Sequence, residues 1–346
     1  MKHNALRVIA ISLFFGFILS AYQPVFNALA LAKETKISPS HAECVMEAKS
    51  RRILYEKGGD LRLPMASTTK IATALTVLNT CNDIQEKILI PREAEGIEGS
   101  SVYLKSGEEY SIEDLLYGLM LRSGNDCAVA LALHCAESLE EFALKMNKIA
   151  KSSGAIHTNF RNPHGLPCQN HYTTARDLSL IACKALENST FKQIVSTQYY
   201  QPRHWKNKNR MLTDYMGAIG VKTGFTKEAG RCLVTAAKRN DMTLVCSVLN
   251  SPMMYERSAE LLDDAFSRYS YEKLLSSGDI FEINDERGKY KANARVDFSY
   301  PLMEGEKENI EVHIFPSTSP TDREIIGQIE ITLAKRLLFC GNLYKL

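Results

Sequence analysis

The stretch LPMASTTKIATAL, residues 63–75, sets Ser67 and Lys70 three positions apart at the head of an apolar run. Ile71, Leu75 and Leu78 recur at the spacing of one helical face, so the segment from Ser67 to Leu78 is predicted to be a helix. Positions i and i+3 share a helical face, which lets Ser67 and Lys70 touch if both lie in the first turn. Two readings compete: an N-cap followed by a surface charge, or a nucleophile beside its base. The short pattern does not choose, because it recurs as Ser189 to Lys192 and as Ser270 to Lys273.

Chemistry narrows the choice. A lysine that accepts a proton must be neutral, whereas a free lysine titrates near about 10.4. Bringing it to about 7 takes on the order of 4–5 kcal/mol, supplied by burial and a neighbouring positive charge. The sequence should therefore hold a second cation. Two segments suit the need: Ser123-Gly-Asn125, in a break between predicted helices, and Lys222-Thr-Gly224, just ahead of a predicted hairpin.

Outward from this point the chain reads as α+β. ECVMEAKSRRILYEK (43–57) suits a β-hairpin around Lys49-Ser50. YSIEDLLYGLML (110–121) opens with Ser111 and Asp114 in capping register and continues as a helix. Residues 127–154 read as helix, turn, helix; a loop rich in Asn, Pro, His and Gly follows at 157–174, then a helix from Ala175 to about Glu187. RCLVTAAKRNDMTLVCSVLNS (231–251) holds two strand-like runs around the turn Lys238–Asp241, the pattern of antiparallel neighbours. YERSAELLDDAFSRYSYEKLL (255–275) is predicted helical, and from Ser276 short alternating segments predict a small all-β domain.

Bulk properties exclude several classes. The 346 residues, 45% hydrophobic, can bury a full core. Lys2 and Arg7 precede VIAISLFFGFILSAY, and NALALA follows, which reads as a secretory signal peptide over residues 1–32 with an uncleaved anchor as the alternative. Removing it takes two basic residues and no acid, leaving both counts at 40, so no electrostatic ground exists for a nucleic-acid partner. The basic run PRHWKNKNR (202–210) is expected to be a solvated strand face. The nine cysteines sit mostly among apolar neighbours and read as small buried hydrophobes, with one pair among Cys127, Cys135, Cys168 and Cys183 left open. His157, His164 and His171 lie seven apart, a spacing that suits no common metal motif, so structural hydrogen bonding is expected and neither metal nor cofactor.

The ordered set Ser67-x-x-Lys70, Ser123-Gly-Asn125 and Lys222-Thr-Gly224 resembles the active-site signature of penicillin-binding proteins and serine β-lactamases. Order also removes the decoys, since Ser189 and Ser270 follow Ser123 and Lys105-Ser-Gly107 precedes it. The longer context YEKGGDLRLPMASTTKIATAL, EDLLYGLMLRSGNDCAVALA, NPHGL with HYTTARDL, and GVKTGFTKEAGRCLVTAA resembles the low-molecular-mass D-alanyl-D-alanine carboxypeptidases. This resemblance implies the β-lactamase/DD-peptidase fold, an antiparallel sheet flanked by helices, over residues 33–274, with a small β-rich domain over 275–346.

It implies roles as well. Ser67 attacks the carbonyl between the terminal D-alanines of a peptidoglycan stem peptide; Lys70 takes its proton; Lys222 supplies the positive field and, with Ser123, passes a proton to the departing D-alanine. Asn125 binds the substrate amide, Thr223 of the Lys-Thr-Gly224 strand its carboxylate, and the N–H groups of Ser67 and Phe225 the oxyanion. Many relatives carry His or Tyr at the position of Phe225, and Arg257 matches a position that helps attract the carboxylate. β-Lactam antibiotics are then expected to be covalent inhibitors and the site extracytoplasmic. A β-lactamase would need a further glutamate, and residues 126–221 hold no Glu-x-x-Leu-Asn pattern. A non-catalytic wall-binding or antibiotic-sensing module is the other alternative. RLLFCGNLYKL (336–346) reads as a final strand instead of the amphipathic membrane helix of related enzymes, which leaves membrane-surface association open.

Overall fold

The computed structural model describes residues 40–285, 288–317 and 324–346; the predicted leader lies outside the described residues. The hairpin β1 (Ala42–Glu47) and β2 (Ile53–Lys57) comes first. A single 3-10 turn, Ala66–Thr69, leads into α1 (Lys70–Thr80). The ribbon of β3 (Lys87–Leu89) and β4 (Glu109–Ser111) precedes α2 (Ile112–Tyr117), a π-helical turn at Gly118–Arg122, and α3 (Asn125–Cys135). Then come α4 (Leu139–Ser152), α5 (Ala175–Ala185), α6 (Ser189–Ser196), the ribbon of β5 (Tyr199–Tyr200) and β6 (Trp205–Lys206), and the short turn α7 (Met211–Asp214). Strands β7 (Ala218–Thr226), β8 (Gly230–Arg239) and β9 (Met242–Leu249) run into α8 (Met254–Arg268). Helix starts follow capping chemistry: the side chains of Ser111, Ser138, Thr174 and Asn188 accept from the N–H of Asp114, Glu141, Asp177 and Phe191.

One antiparallel sheet in the order β2-β1-β9-β8-β7 organises this part. Its central strand reads TLVCSVL without alternation because both faces are covered. Cys44, Met46, Val234, Ala236 and Val245 face the larger core with Ile71, Leu75, Leu131 and Ile181 of α1, α3 and α5. Their sequence neighbours Val45, Leu233, Leu244 and Val248 face Met254, Leu261 and Leu262 of α8. Strand β7 is an open edge beside the turn that carries Ser67, and this places the candidate site.

The helix predicted to run to 275 stops at Arg268. YSYEKLL instead forms β10 (Tyr269–Leu275): its alternating aromatics suit a half-covered strand. β11 (Ile280–Asp285), β12 (Gly288–Ala294), β13 (Phe298–Met303), β14 (Ile310–Pro316), β15 (Ile325–Leu333) and β16 (Arg336–Lys345) follow. β10 pairs with β13, and the rest form a sheet in the order β11-β12-β16-β15-β14, a C-terminal all-β domain with its own core of Leu275, Ile283, Ile329, Ile331 and Leu343. Arg52 of the first hairpin grips it, donating to Pro301 O at 2.6 Å and to both carboxylate oxygens of Glu306 at 2.9 and 2.6 Å. Among the described residues no helix is long and apolar enough to cross a membrane.

Candidate active site

Ser67 sits inside the 3-10 turn and Lys70 is the first residue of α1. The turn is held in an uncommon shape, with Ala66 at φ 49°, a left-handed value that costs a β-carbon residue energy. Thr69 Oγ1 donates to Ala66 O at 2.8 Å and lies 2.9 Å from His171 Nε2. His171 Nδ1 accepts from Arg161 N–H at 3.0 Å, so the proton of the neutral ring resides on Nε2 and is given to Thr69. Burial pushes the His171 ring down to about 4, which keeps that tautomer at neutral pH. Gly165, at φ 89°, presses on the same carbonyl; a Cβ there would overlap Ala66 O.

Lys70 is fully buried, and its Nζ reaches Ser67 Oγ at 3.1 Å, Asn125 Oδ1 at 2.6 Å and His164 O at 2.6 Å. A neutral amine has two N–H bonds and one lone pair. The two short contacts are to acceptors that can never donate, so both N–H bonds go to them and the lone pair is left for the Ser67 hydroxyl. Desolvation, then the charge of Lys222, holds the Lys70 amine well below its ordinary range. Asp126 opposes this; its carboxylate is held by Ser101 Oγ and by the N–H groups of Val102, Leu104 and Cys127. Lys222 is itself 2% exposed, pushed down to about 7 by burial and then by Lys208, and donates to Thr223 O at 2.8 Å.

The edge strand supplies main-chain donors. Arg231 O accepts from Ser251 N–H at 2.8 Å, which turns Arg231 toward β9. Arg231 is the register partner of Phe225, so alternation makes theirs a non-hydrogen-bonded pair, and the N–H of Phe225 points away from β8 to the open edge. Thr223 shares that orientation, while Lys222 faces the helices. Across the gap, an ideal Cβ on Gly224 would lie 3.1 Å from Ser67 N, so the absence of a side chain leaves the Ser67 N–H uncovered. That N–H donates to no backbone carbonyl among the described residues. Phe225 projects its side chain outward, 63% exposed, and contributes only its backbone.

Ser123 closes the π-helical turn in a left-handed conformation, φ 64°, and is 5% exposed; its hydroxyl has no hydrogen-bond partner among the described residues. Asn125 opens α3, its N–H donating to Ser100 O at 2.7 Å and its Nδ2 to Glu98 O at 2.6 Å. The amide is thereby oriented with Oδ1 toward Lys70.

Arg257 is committed to other partners in the structure. Its Nε and Nη2 donate to both oxygens of the fully buried Glu43 at 2.9 and 2.8 Å, and further bonds reach Tyr55 and Glu260. Thr223, Leu233, Val248 and Glu43 are register partners in one row, which puts Glu43 three strand spacings, about 14 Å, from Thr223. Arg257 is tied to Glu43 at the other end of that row.

Four contributors escaped the sequence reading. The carbonyl of His164 is positioned by Asn162 Oδ1, which accepts from Gly165 N–H at 2.7 Å; Asn followed by Pro-His-Gly is a turn signal, but which carbonyl meets the lysine is not. The Thr69–His171 relay and the engaged Asp126 left no spacing signal. Lys208 lay in the run expected to be a solvated strand face. The run does hold β6 and is largely exposed, but Arg203 also pairs with Asp114 at 2.6 Å, and Lys208 Nζ donates to Ser100 Oγ at 3.3 Å and adds its charge to the field at Lys70 and Lys222. Of the cysteines left open for pairing, Cys135 lies beside a sulfur outside that set, Cys81. The decoys are elsewhere: Lys192 lies on α6, and Lys273 on β10 pairs with Asp297 at 3.1 Å.

Residues 30–253 match the sequence profile of the peptidase S11 family, described as D-alanyl-D-alanine carboxypeptidase. The chain belongs to this family. It is 32% identical over 297 residues to D-alanyl-D-alanine carboxypeptidase DacF of Bacillus subtilis, covering 81% of this chain and 76% of that one. The crystal structure of penicillin binding protein 5 from Haemophilus influenzae superposes with a TM-score of 0.74 at 25% identity, over 89% of this chain and 97% of that one. A Streptomyces DD-transpeptidase matches with a TM-score of 0.59 at 35% identity, over 65% of this chain and 94% of that one.

Proposed function

We propose that Ser67, Lys70, Ser123 and Lys222 carry the reaction of a serine-type D-alanyl-D-alanine carboxypeptidase that removes the terminal D-alanine of peptidoglycan stem peptides. Family membership supports the activity. The observation that carries the residue assignment is the buried Lys70 amine, with two obligate acceptors and the Ser67 hydroxyl as its neighbours in bonding range among the described residues.

Neutral Lys70 takes the Ser67 proton as Oγ attacks the carbonyl carbon of the D-Ala-D-Ala bond. The oxyanion lies between the Ser67 and Phe225 N–H groups, beside the gap kept open by Gly224. The Ser123 hydroxyl relays the proton that Lys70 took to the leaving D-alanine nitrogen, which returns Lys70 to its neutral form, and Thr223 and Lys222 receive the carboxylate. Asn125 keeps a second Oδ1 lone pair for the substrate's peptide N–H. Water then attacks the acyl-enzyme with Lys70 again as base. Penicillin follows the first half and stays attached. The loop that reaches Lys70 from the segment between the second and third motifs presents the His164 carbonyl and no carboxylate, which favours this reading over a β-lactamase.

The enzyme acts outside the cytoplasm, on the cell wall; a cleaved leader would leave it free there, a retained one anchored. Mass spectrometry of a penicillin adduct tests the assignment: the label is expected on Ser67 and absent in Ser67→Ala, with D-alanine released from a stem-peptide mimic. Label on another residue, or labelling without release, overturns it.

A further inference from the structure

Helices α1 and α3 begin together and end together. Each spans 11 residues, and their first residues, Lys70 and Asn125, meet at 2.6 Å in the active site. Roughly 16 Å away, at 1.5 Å per residue, the residue after α1 and the last residue of α3 are both cysteines. Their sulfurs, Cys81 Sγ and Cys135 Sγ, lie 3.4 Å apart. Cys81 caps α1, its N–H bonded to Val77 O, and is partly exposed; Cys135 is 7% exposed. No other pair of sulfurs is in contact among the described residues.

From this geometry we infer that Cys81 and Cys135 form a disulfide that locks the two catalytic helices as a parallel pair. Two sulfurs this close need only a small side-chain rotation to bond, with little backbone displacement. Two alternatives are weaker. Among the described residues no group of three ligands could hold a metal ion, so the pair is not half of a metal centre. Chance placement of two reduced thiols is poorly suited to a protein that works outside the reducing cytoplasm.

The oxidant is a disulfide of a small thiol or a thiol oxidoreductase. The Cys81 thiolate attacks one of its sulfurs and releases one thiolate; Cys135 then displaces the second, and the two thiol protons leave with the two reduced thiols. Cys81 is the exposed partner and the better attacker, since the contact with Cys135 favours its thiolate. Once closed, the bond ties the ends of α1 and α3 opposite the Lys70–Asn125 contact, so the base and its amide partner are braced at both ends of the helix pair.

The test uses the full chain in its folded state. After exposure to glutathione disulfide, alkylation under denaturing conditions and peptide mapping without reductant, the nine thiols are expected to fall by two, with one linked peptide joining Cys81 and Cys135. The time course of heat inactivation of penicillin labelling should lengthen several-fold on oxidation and return on reduction, and Cys81→Ser should match the reduced protein whether or not oxidant is present. Alkylation of both cysteines in the oxidised, active protein overturns the bond. Equal inactivation of the bonded and reduced wild-type forms overturns the brace. Because both measurements are made on the wild-type chain, a poorly folding variant leaves the outcome readable.

Discussion

Replacing Gly224 by alanine should block acylation while leaving the fold intact. A Cβ at this position comes to 3.1 Å from Met65 O, Ser67 N and Thr68 N, all backbone atoms of the nucleophile turn. None is the end of a flexible side chain, so the turn itself must give by a few tenths of an ångström. The added methyl also stands before the Ser67 N–H, one of the two donors to the oxyanion. Losing one such donor costs a factor of about 10²–10³, or about 2.7–4 kcal/mol of barrier, whereas the steric term costs about 1–3 kcal/mol of stability. The assay is the second-order rate constant for penicillin acylation, read by mass spectrometry, beside D-alanine release and a thermal melt. Acylation and release should fall together by about 10²-fold or more with a cooperative melt retained. A folded Gly224→Ala enzyme that acylates within roughly threefold of wild type would refute the oxyanion geometry argued from the β7 edge.

Three more expectations follow from the charges. The rate kcat/KM should rise with the deprotonation of Lys70 and decline above about 7 as Lys222 loses its proton; Lys208→Met should move the upper limb to higher pH, because the Lys208 charge depresses Lys222, and an unmoved limb would remove Lys208 from the field. Glu43→Gln leaves Arg257 with only the half-exposed Glu260 as counter-charge and should cost about 3 kcal/mol in denaturant unfolding, with acylation unchanged at temperatures where the variant is folded; lost acylation at unchanged stability would assign Arg257 to the substrate carboxylate. His171 is held at about 4 against an ordinary 6.5, so the unfolded chain binds the proton first. Its contribution is therefore complete above about 6.5 and lost as pH falls toward 4, on the order of 3 kcal/mol; titrating unfolding free energy from pH 7 down should show this slope, and His171→Asn should flatten it.

Much of the molecule was legible in the residues. A capping side chain marked the start of α2, the Asn-, Pro-, His- and Gly-rich loop marked the approach to α5, the turn Lys238–Asp241 marked the β8–β9 hairpin, and alternation marked β15. Those signals are local: a cap, a turn or a two-residue period is decided within a few positions of itself. The need for a second cation near Lys70 was also chemical before it was structural. The same local logic failed at YSYEKLL, where a strong helix run directly precedes a strand whose partner, β13, lies some thirty residues on.

The sequence by itself determined which groups the chain brings to the proposed site: a hydroxyl, a lysine to be neutralised, a second cation and a glycine-bearing edge strand. Only the tertiary structure decided how they are held. The carbonyl of His164, the direction of the Phe225 N–H, the pairing of Arg257 with Glu43 and the meeting of Cys81 with Cys135 all depend on contacts between distant segments. Side-chain chemistry is written one residue at a time. The distance and burial that shift a proton or orient a backbone dipole belong to the packed neighbours, and no short stretch of sequence contains them.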